Sequence, residues 1–333
     1  MGEILSINDT NITRAGDALR GGGLVAMPTE TVYGLAADAT NGQAVARIYE
    51  AKGRPSFNPL IIHVSDLDDA QKWGQFNAAA IELARAFWPG PLTLVVPKTE
   101  GATLSDLVTA GLDSIAIRVP AHPAAQDLIK AAGVPLAAPS ANKSGSISPT
   151  SPAHVHDSLG GAVDYILAGG SCAVGLESTI IDCTRDAPSL LRPGGITAEQ
   201  IALTLDMDES ALTLAASDTD DTAPKSPGLL LKHYAPSIPV RLKAYDVKQG
   251  EALLAFGSTK FMSVEGGGAL TDLPDTQMQN LSEGGDLYEA AANLFAMMRA
   301  LDNDAGHKRI AVMDVPDIGL GAAINDRLRR AAS

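Results

Sequence analysis

The chain is 333 residues long, 45% hydrophobic but only 4% aromatic, with a formal charge of 25 − 39 = −14. That length predicts two domains, with cores filled mostly by Ala, Leu, Ile and Val. The acidic balance excludes a surface whose main task is gripping nucleic acid by charge, and leaves room only for a locally basic cleft. Two cysteines, Cys172 and Cys183, are not spaced as a metal knuckle and read as buried apolar thiols, not as a disulfide framework. The opening MGEILSINDTNITRAG lacks the basic-then-apolar order of a signal peptide, and no apolar run reaches membrane-spanning length. A cytoplasmic location with no membrane partner is expected.

Residues 1–205 alternate strand and helix signals. A strand at 23–27 is broken by Pro28 into the hydroxyl-rich turn TETVYG. A helix at 43–52 stops at Gly53 and releases Arg54, Pro55, Ser56, Phe57 and Asn58 as a loop. The strand at 60–64 carries His63, which alternation puts on one face with Ile61. A helix at 77–87 and a strand at 92–96 follow, then a strand at 114–119 in which Arg118 sits between Ile117 and Val119. The helix at 123–132 opens with Pro123, as the helix at 152–159 does with Pro152, where a missing N–H costs nothing. Between them a strand at 134–138 runs into the polar loop PSANKSGSISPT. Strands at 165–167, 178–182 and 189–192 and a helix at 198–205 complete an α/β domain with a large mixed sheet.

Residues 206–239 are acidic, small and without period, and read as a linker. It ends in SPGLLLKHYAPSIP, too rich in specific side chains for a plain tether. From 240 to 333 a second, small α/β unit is predicted, with strands at 252–256 and 309–314 and amphipathic helices at 287–301 and 322–332.

The candidate chemistry gathers at strand ends. Lys52 alone would complement a helix dipole, but Arg54, Pro55, Ser56 and Asn58 follow it in a loop stiffened by the proline. Fixed cations there suit phosphate, and amide and hydroxyl groups suit a sugar or base. His63 alone would read as a satisfied core residue, and Thr31 as a cap. Arg118 in an apolar strand needs a partner, either a carboxylate such as Asp182 or a substrate anion. The small polar residues around Ser140 could cradle phosphate oxygens, with Lys143 a further cation beside them. Arg192 precedes Pro193, Gly194 and Gly195 at another strand end.

These motifs, in this order, resemble the YrdC-like domain of the threonylcarbamoyl-AMP synthases. The resemblance implies a YrdC-like domain with a large twisted mixed sheet and flanking helices (1–205), a linker or lid (206–239), and a small Rossmann-like α/β C-terminal domain (240–333). It implies Lys52 and Arg54 as catalytic residues, Lys52 facing phosphate. Thr31, His63, Arg118, Ala138 and Ser178 would contact L-threonine, with Arg118 as a fork for its carboxylate. Arg54, Asn58, Ser114, Ser140, Ser148 and Arg192 would contact ATP. Tyr234, in the lid segment 226–236, would stack or hydrogen-bond at the nucleotide. The second unit resembles the family's C-terminal domain more loosely and shows no catalytic signature.

The implied reaction joins ATP, L-threonine and bicarbonate into threonylcarbamoyl-AMP and pyrophosphate, with Mg²⁺ entering on ATP and no metal site of the protein's own. The product would pass to a separate tRNA threonylcarbamoyl-transfer complex, with no stable tRNA clamp here. Two alternatives stand beside it. One is an RNA-binding YrdC-like module, against which the charge and the scarcity of aromatics count. The other is the carbamoyl-adenylating relative of hydrogenase maturation, whose cysteine-rich zinc modules two cysteines cannot build.

Overall fold

The structure is a computed structural model and describes residues 2–212, 233–268, 270, 273–274, 276–303 and 306–333. In chain order its first part forms β1 (Glu3–Ser6), α1 (Asp9–Arg20), β2 (Val25–Met27), β3 (Gly34–Asp38), α2 (Gly42–Lys52), β4 (Ile61–His63), α3 (Leu67–Ala70) and α4 (Ala78–Phe87). Then come β5 (Leu92–Pro97), α5 (Asp106–Thr109), β6 (Ser114–Arg118), α6 (Pro123–Ala132), β7 (Leu136–Ala137), α7 (Pro152–Leu159), β8 (Tyr165–Ala168), β9 (Thr179–Asp182), β10 (Ser189–Arg192) and α8 (Ala198–Thr204). The ten strands make one sheet in the order β1-β8-β2-β3-β7-β4-β6-β5-β9-β10, with parallel and antiparallel neighbours mixed.

Local chemistry sets the helix ends. The Asn41 side chain accepts from the N–H groups of Gln43 and Ala44 and starts α2, and Gly53, at φ 60°, ends it in the left-handed region. That stop turns the chain out at Lys52 and creates the loop carrying Arg54 and Asn58. In α6, Pro123 stands in the first turn and Gly133 closes the end. Alternation then sorts the sheet. Ile62, Leu94, Ile117 and Ile181 join the main core, while Ile61, Val95, Ala116, Ile180 and Leu191 form a separate small patch on the opposite face.

By contacts the chain forms two compact units. The first is Met1–Ser144, Pro149–Ala173 and Glu177–Leu230; the second is Gly145–Ser148, Val174–Leu176 and Leu231–Ser333. The second unit contains β11 (Val240–Arg241), β12 (Asp246–Val247), β13 (Glu251–Ala255), β14 (Ser263–Val264), β15 (Met278–Asn280), α9 (Leu287–Asp302), β16 (Arg309–Val312) and α10 (Leu320–Ala331). Its main sheet is parallel, in the order β11-β16-β13-β15, and β12 pairs with β14. Leu294, Phe295, Met298, Ile324 and Leu328 are buried on its two long helices. Of the expected linker, residues 213–232 lie outside the described residues, and with them most of the expected lid. Among the described residues, no helix is long and apolar enough to cross a membrane.

Five elements of the first unit are absent from the sequence expectations: β1, α1, the short helices α3 and α5, and β3. The last reads GLAAD and is fully buried without a β-branched residue. Its small side chains permit close approach: a Cβ on Gly34 would stand 3.3 Å from that of Ala138. Cys172 and Cys183 are both buried free thiols, as expected, although neither lies inside a strand.

Gly194 is a test of this packing. A Cβ there would lie 2.3 Å from the Glu177 carbonyl oxygen and 2.4 Å from the Thr179 nitrogen, both backbone atoms with little freedom to yield. Gly194→Ala should therefore destabilise the protein by about 1–3 kcal/mol or more. Urea unfolding should show a lowered midpoint; an unchanged midpoint would contradict the packing described.

Candidate active site

Strand register assembles the polar side chains. His63 on β4 is paired with Arg118 on β6, Arg118 with Thr93 on β5, Thr93 with Ile180 on β9, and Ile180 with Arg192 on β10. Paired residues in adjacent strands point to the same face. His63, Arg118, Thr93 and Arg192 therefore form one row across five neighbouring strands, on the face that carries the small apolar patch. Ser178, just before β9, joins the row. Its hydroxyl lies 2.7 Å from that of Thr93, and Arg192 Nη2 donates to the Ser178 carbonyl at 2.9 Å and to its hydroxyl at 3.2 Å.

Arg118 is 4% exposed. Its partner is Glu30, not Asp182: Nη2 donates to Glu30 Oε1 at 2.7 Å, and Nε to the Gly90 carbonyl at 3.3 Å. Glu30 stands in the turn after β2, where Thr29 and Thr31 are buried with their hydroxyls 2.8 Å apart. The other Glu30 oxygen accepts from the Ala121 N–H at 3.0 Å. Burial raises the Glu30 carboxyl, but the charge and hydrogen bond of Arg118 outweigh it and hold the group below its ordinary value. Sequence reasoning missed Glu30; the signal was a lone carboxylate within the hydroxyl turn, visible only once a buried arginine needed a counter-ion.

A second group forms where α2 meets the loop after β7. Lys52 Nζ donates to the carbonyls of Ser140 and Asn142, both at 2.6 Å, and the Lys52 carbonyl accepts from Ser144 N–H at 2.8 Å. Burial, then the charges of Arg54 and Lys143, lowers the Lys52 ammonium well below its ordinary value. Arg54 donates through Nε to the Asn58 carbonyl at 3.3 Å and through Nη2 to Pro59 at 2.9 Å. The Asn58 side chain is fully buried and, among the described residues, neither its oxygen nor its nitrogen has a hydrogen-bond partner. A buried amide left that way costs about 1–3 kcal/mol per orphaned group, a debt a ligand can cancel. Lys143 Nζ reaches the Ala51 carbonyl at 2.8 Å.

The remaining expected residues fall as follows. Ala138 is buried and donates its N–H to the Ile61 carbonyl at 3.0 Å. Ser114 shares a strand with Arg118 but at its other end, opposite Pro97. Ser148 and Tyr234 belong to the second unit. There Tyr234 is 1% exposed, at φ 62°, with its ring stacked on Phe295 at 5.6 Å and the Arg327 guanidinium 5.2 Å from its centroid. The following residue, Ala235, donates to the Gly145 carbonyl at 2.9 Å. Among the described residues, no three or more His, Cys, Asp or Glu side chains gather as a metal would require.

Comparison with known proteins matches this arrangement along the whole chain. The family described as "Telomere recombination" matches residues 17–194, and "Threonylcarbamoyl-AMP synthase, C-terminal domain" matches residues 196–333. The chain is 40% identical to the threonylcarbamoyl-AMP synthase of Bacillus subtilis over 339 residues, 98% of this chain and 94% of that protein. It is 40% identical to that of Pyrococcus abyssi over 342 residues, 98% of this chain and 95% of that one. Among solved structures, P. abyssi Sua5 complexed with L-threonine is similar with a TM-score of 0.85 and 36% identity, covering 100% of this chain and 97% of that one. E. coli YciO is similar over 58% of this chain, with a TM-score of 0.52 and 25% identity.

His63 supplies a pH test of the site. Burial, reinforced by the neighbouring Arg118 charge, pushes its imidazole from 6.5 down to about 3. Between those values the unfolded chain binds a proton that the folded chain refuses. Its contribution therefore makes stability fall as pH drops from about 6.5 toward about 3 and leaves stability flat above 6.5. His63→Gln should have a shallower stability slope than the parent between pH 6.5 and 4.5, measured by urea unfolding at each pH; equal slopes would show that His63 is not buried neutral.

Proposed function

The chain belongs to the threonylcarbamoyl-AMP synthase family, in its two-domain form, and is an enzyme of the nucleotidyltransferase type; from that premise we propose that it condenses ATP, L-threonine and bicarbonate into threonylcarbamoyl-AMP and pyrophosphate. The observation that carries this reading is the pairing of two sites in the first unit. One is a row of buried polar side chains, His63, Arg118, Ser178 and Arg192, on a single sheet face. The other is a cluster of enclosed cations with an unsatisfied amide, Lys52, Arg54 and Asn58.

In this reading the row receives threonine. Thr31, His63, Ala138 and Ser178 line the amino-acid end, and Arg118 meets the carboxylate with the donors that Glu30 and Gly90 leave over. The cluster receives ATP. Asn58 satisfies its amide on the nucleoside, and Arg54, Arg192 and the third donor of the Lys52 ammonium offset phosphate charge. Ser114 and Ser140 are further nucleotide contacts. Mg²⁺ accompanies ATP, coordinated by phosphate and water oxygens.

The chemistry asks little of the protein in covalent terms. The threonine amine and bicarbonate form a carbamate, and a carbamate oxygen attacks the α-phosphorus as pyrophosphate leaves. The protein's share is to hold three reactants together and to stabilise charge on the phosphates. Both the carbamate and the mixed anhydride react with water, so the site has to exclude it. The adenylate would then serve the threonylcarbamoylation of a tRNA adenosine next to the anticodon, performed in the cytoplasm by a separate transfer complex.

The test is pyrophosphate release from ATP by the full chain. It should require both threonine and bicarbonate; release that ignores either would overturn the proposal. Arg54→Ala should raise the KM for ATP far more than that for threonine. Arg118→Lys replaces a planar fork by a point charge. It should weaken threonine binding by about 1.5–3 kcal/mol, read by calorimetric titration, and leave the KM for ATP nearly unchanged.

A further inference from the structure

The Glu30–Arg118 pair has the form of its expected ligand. A carboxylate and a guanidinium face each other at 2.7 Å, with side chains only 13% and 5% exposed. An amino acid brings the same two charges: a carboxylate suited to Arg118 and an ammonium suited to Glu30. On the reading of the site given above, we propose that the pair holds the place of the threonine zwitterion. Threonine inserts between the two groups, its carboxylate on Arg118 and its ammonium on Glu30, and Glu30 takes the proton that the amine must lose.

Removing one partner from a buried ion pair strands the other as an uncompensated charge. Inserting a zwitterion strands neither, because each buried charge exchanges one counter-ion for another. The anchors of the pair suit the exchange. The Ala121 N–H holds the far oxygen of Glu30, and the Gly90 carbonyl holds Nε of Arg118, so both groups stay placed when they part. Thr29 and Thr31, flanking Glu30, offer hydroxyls beside the incoming ammonium.

The exchange also turns Glu30 into a base. Arg118, helped by the Ala121 N–H and the backbone of Glu30 itself, keeps the carboxyl low against the opposing effect of burial. Once the substrate carboxylate neutralises Arg118, burial is left to raise the affinity of Glu30 for a proton. The ammonium then passes one proton to Glu30 and becomes an amine. Its lone pair forms the N–C bond to bicarbonate; the C–OH bond breaks, and the hydroxide leaves as water with a second proton from the nitrogen. The carbamate remains, and Glu30 returns its proton to solvent. The other titratable groups sensing this pair, Cys172 and His63, are held neutral by burial across the working range.

The experiment compares threonine with 3-hydroxybutyrate, which keeps the carboxylate and lacks the amine. Calorimetric titration of the full parent chain should show threonine binding at least 10-fold more tightly. In Glu30→Gln, which keeps the shape and an acceptor for Arg118, that preference should vanish. Pyrophosphate release should fall about 100-fold or more, the scale of a lost general base, with the KM for ATP within twofold of the parent. Glu30→Asp, charged but shorter, should restore the preference for the amine. Equal weakening of both ligands in Glu30→Gln, or an unchanged preference, would overturn the proposal and leave Glu30 a structural counter-ion. A Glu30→Gln chain that does not fold would leave the decision to Glu30→Asp, where a lost preference in a folded protein also overturns it. A parent chain that binds no threonine would instead refute the function proposed above.

Discussion

Lys52 carries an ammonium group in a residue 2% exposed, and its hydrogen bonds run to two peptide carbonyls, those of Ser140 and Asn142. Carbonyl dipoles stabilise an enclosed cation but do not neutralise it. Burial, and then the neighbouring charges of Arg54 and Lys143, push the ammonium well below its ordinary value. The fold thus holds a concentration of positive charge in a chain whose total is −14. An anion arriving there meets charge already placed and already stripped of water, so little reorganisation remains to be done. The net charge has its own consequence: polyanions in general are repelled.

The sheet face extends the same logic. Arg192 is held by the backbone and hydroxyl of Ser178, Arg54 by the carbonyls of Asn58 and Pro59, and Arg118 by a carboxylate. That difference divides the site. A carbonyl orients a cation without cancelling its charge. A cation held by Glu30 offers attraction only to a ligand that can compensate the carboxylate as well. Strand register sets the spacing within the row, and a slip by one residue in β4 or β6 would turn that strand's member, His63 or Arg118, toward the main core.

Much of this was legible in the residues. Alternation placed His63 with Ile61, and Lys52, Gly53 and Pro55 marked the helix stop and the loop beyond it. The order of the motifs pointed to the family. Other features could not be read because their causes are not local. β3 consists of Gly, Leu, Ala, Ala and Asp, none of them a strong strand former, and it is a strand because β2 and β7 pair with it. The helix α1 is largely polar, with Gly16 near its middle; that glycine lets Ala131 approach so closely that a Cβ would stand 2.9 Å from its backbone. Asp182 was a reasonable counter-ion for Arg118, but it binds Thr184 instead, and Glu30 arrives from 88 residues away along the chain. The Lys52 reading gained a second part: a lysine expected to face phosphate also ties the end of α2 to the loop after β7.

Cys172 and Cys183 have entered so far only as packing. Both thiols are pushed up to about 12 by burial, then by the nearby carboxylates Glu30 and Asp182. At neutral pH almost no thiolate exists at either position, so alkylating reagents find no nucleophile while the fold is closed. Both belong to the first unit, and the sequence holds no other cysteine. Thiol modification is therefore a clock for the opening of that unit alone, blind to events in the other. Because Cys172 feels the charges of both Glu30 and Arg118, its clock sits beside that ion pair, and its rate measures how often the pair is exposed to water.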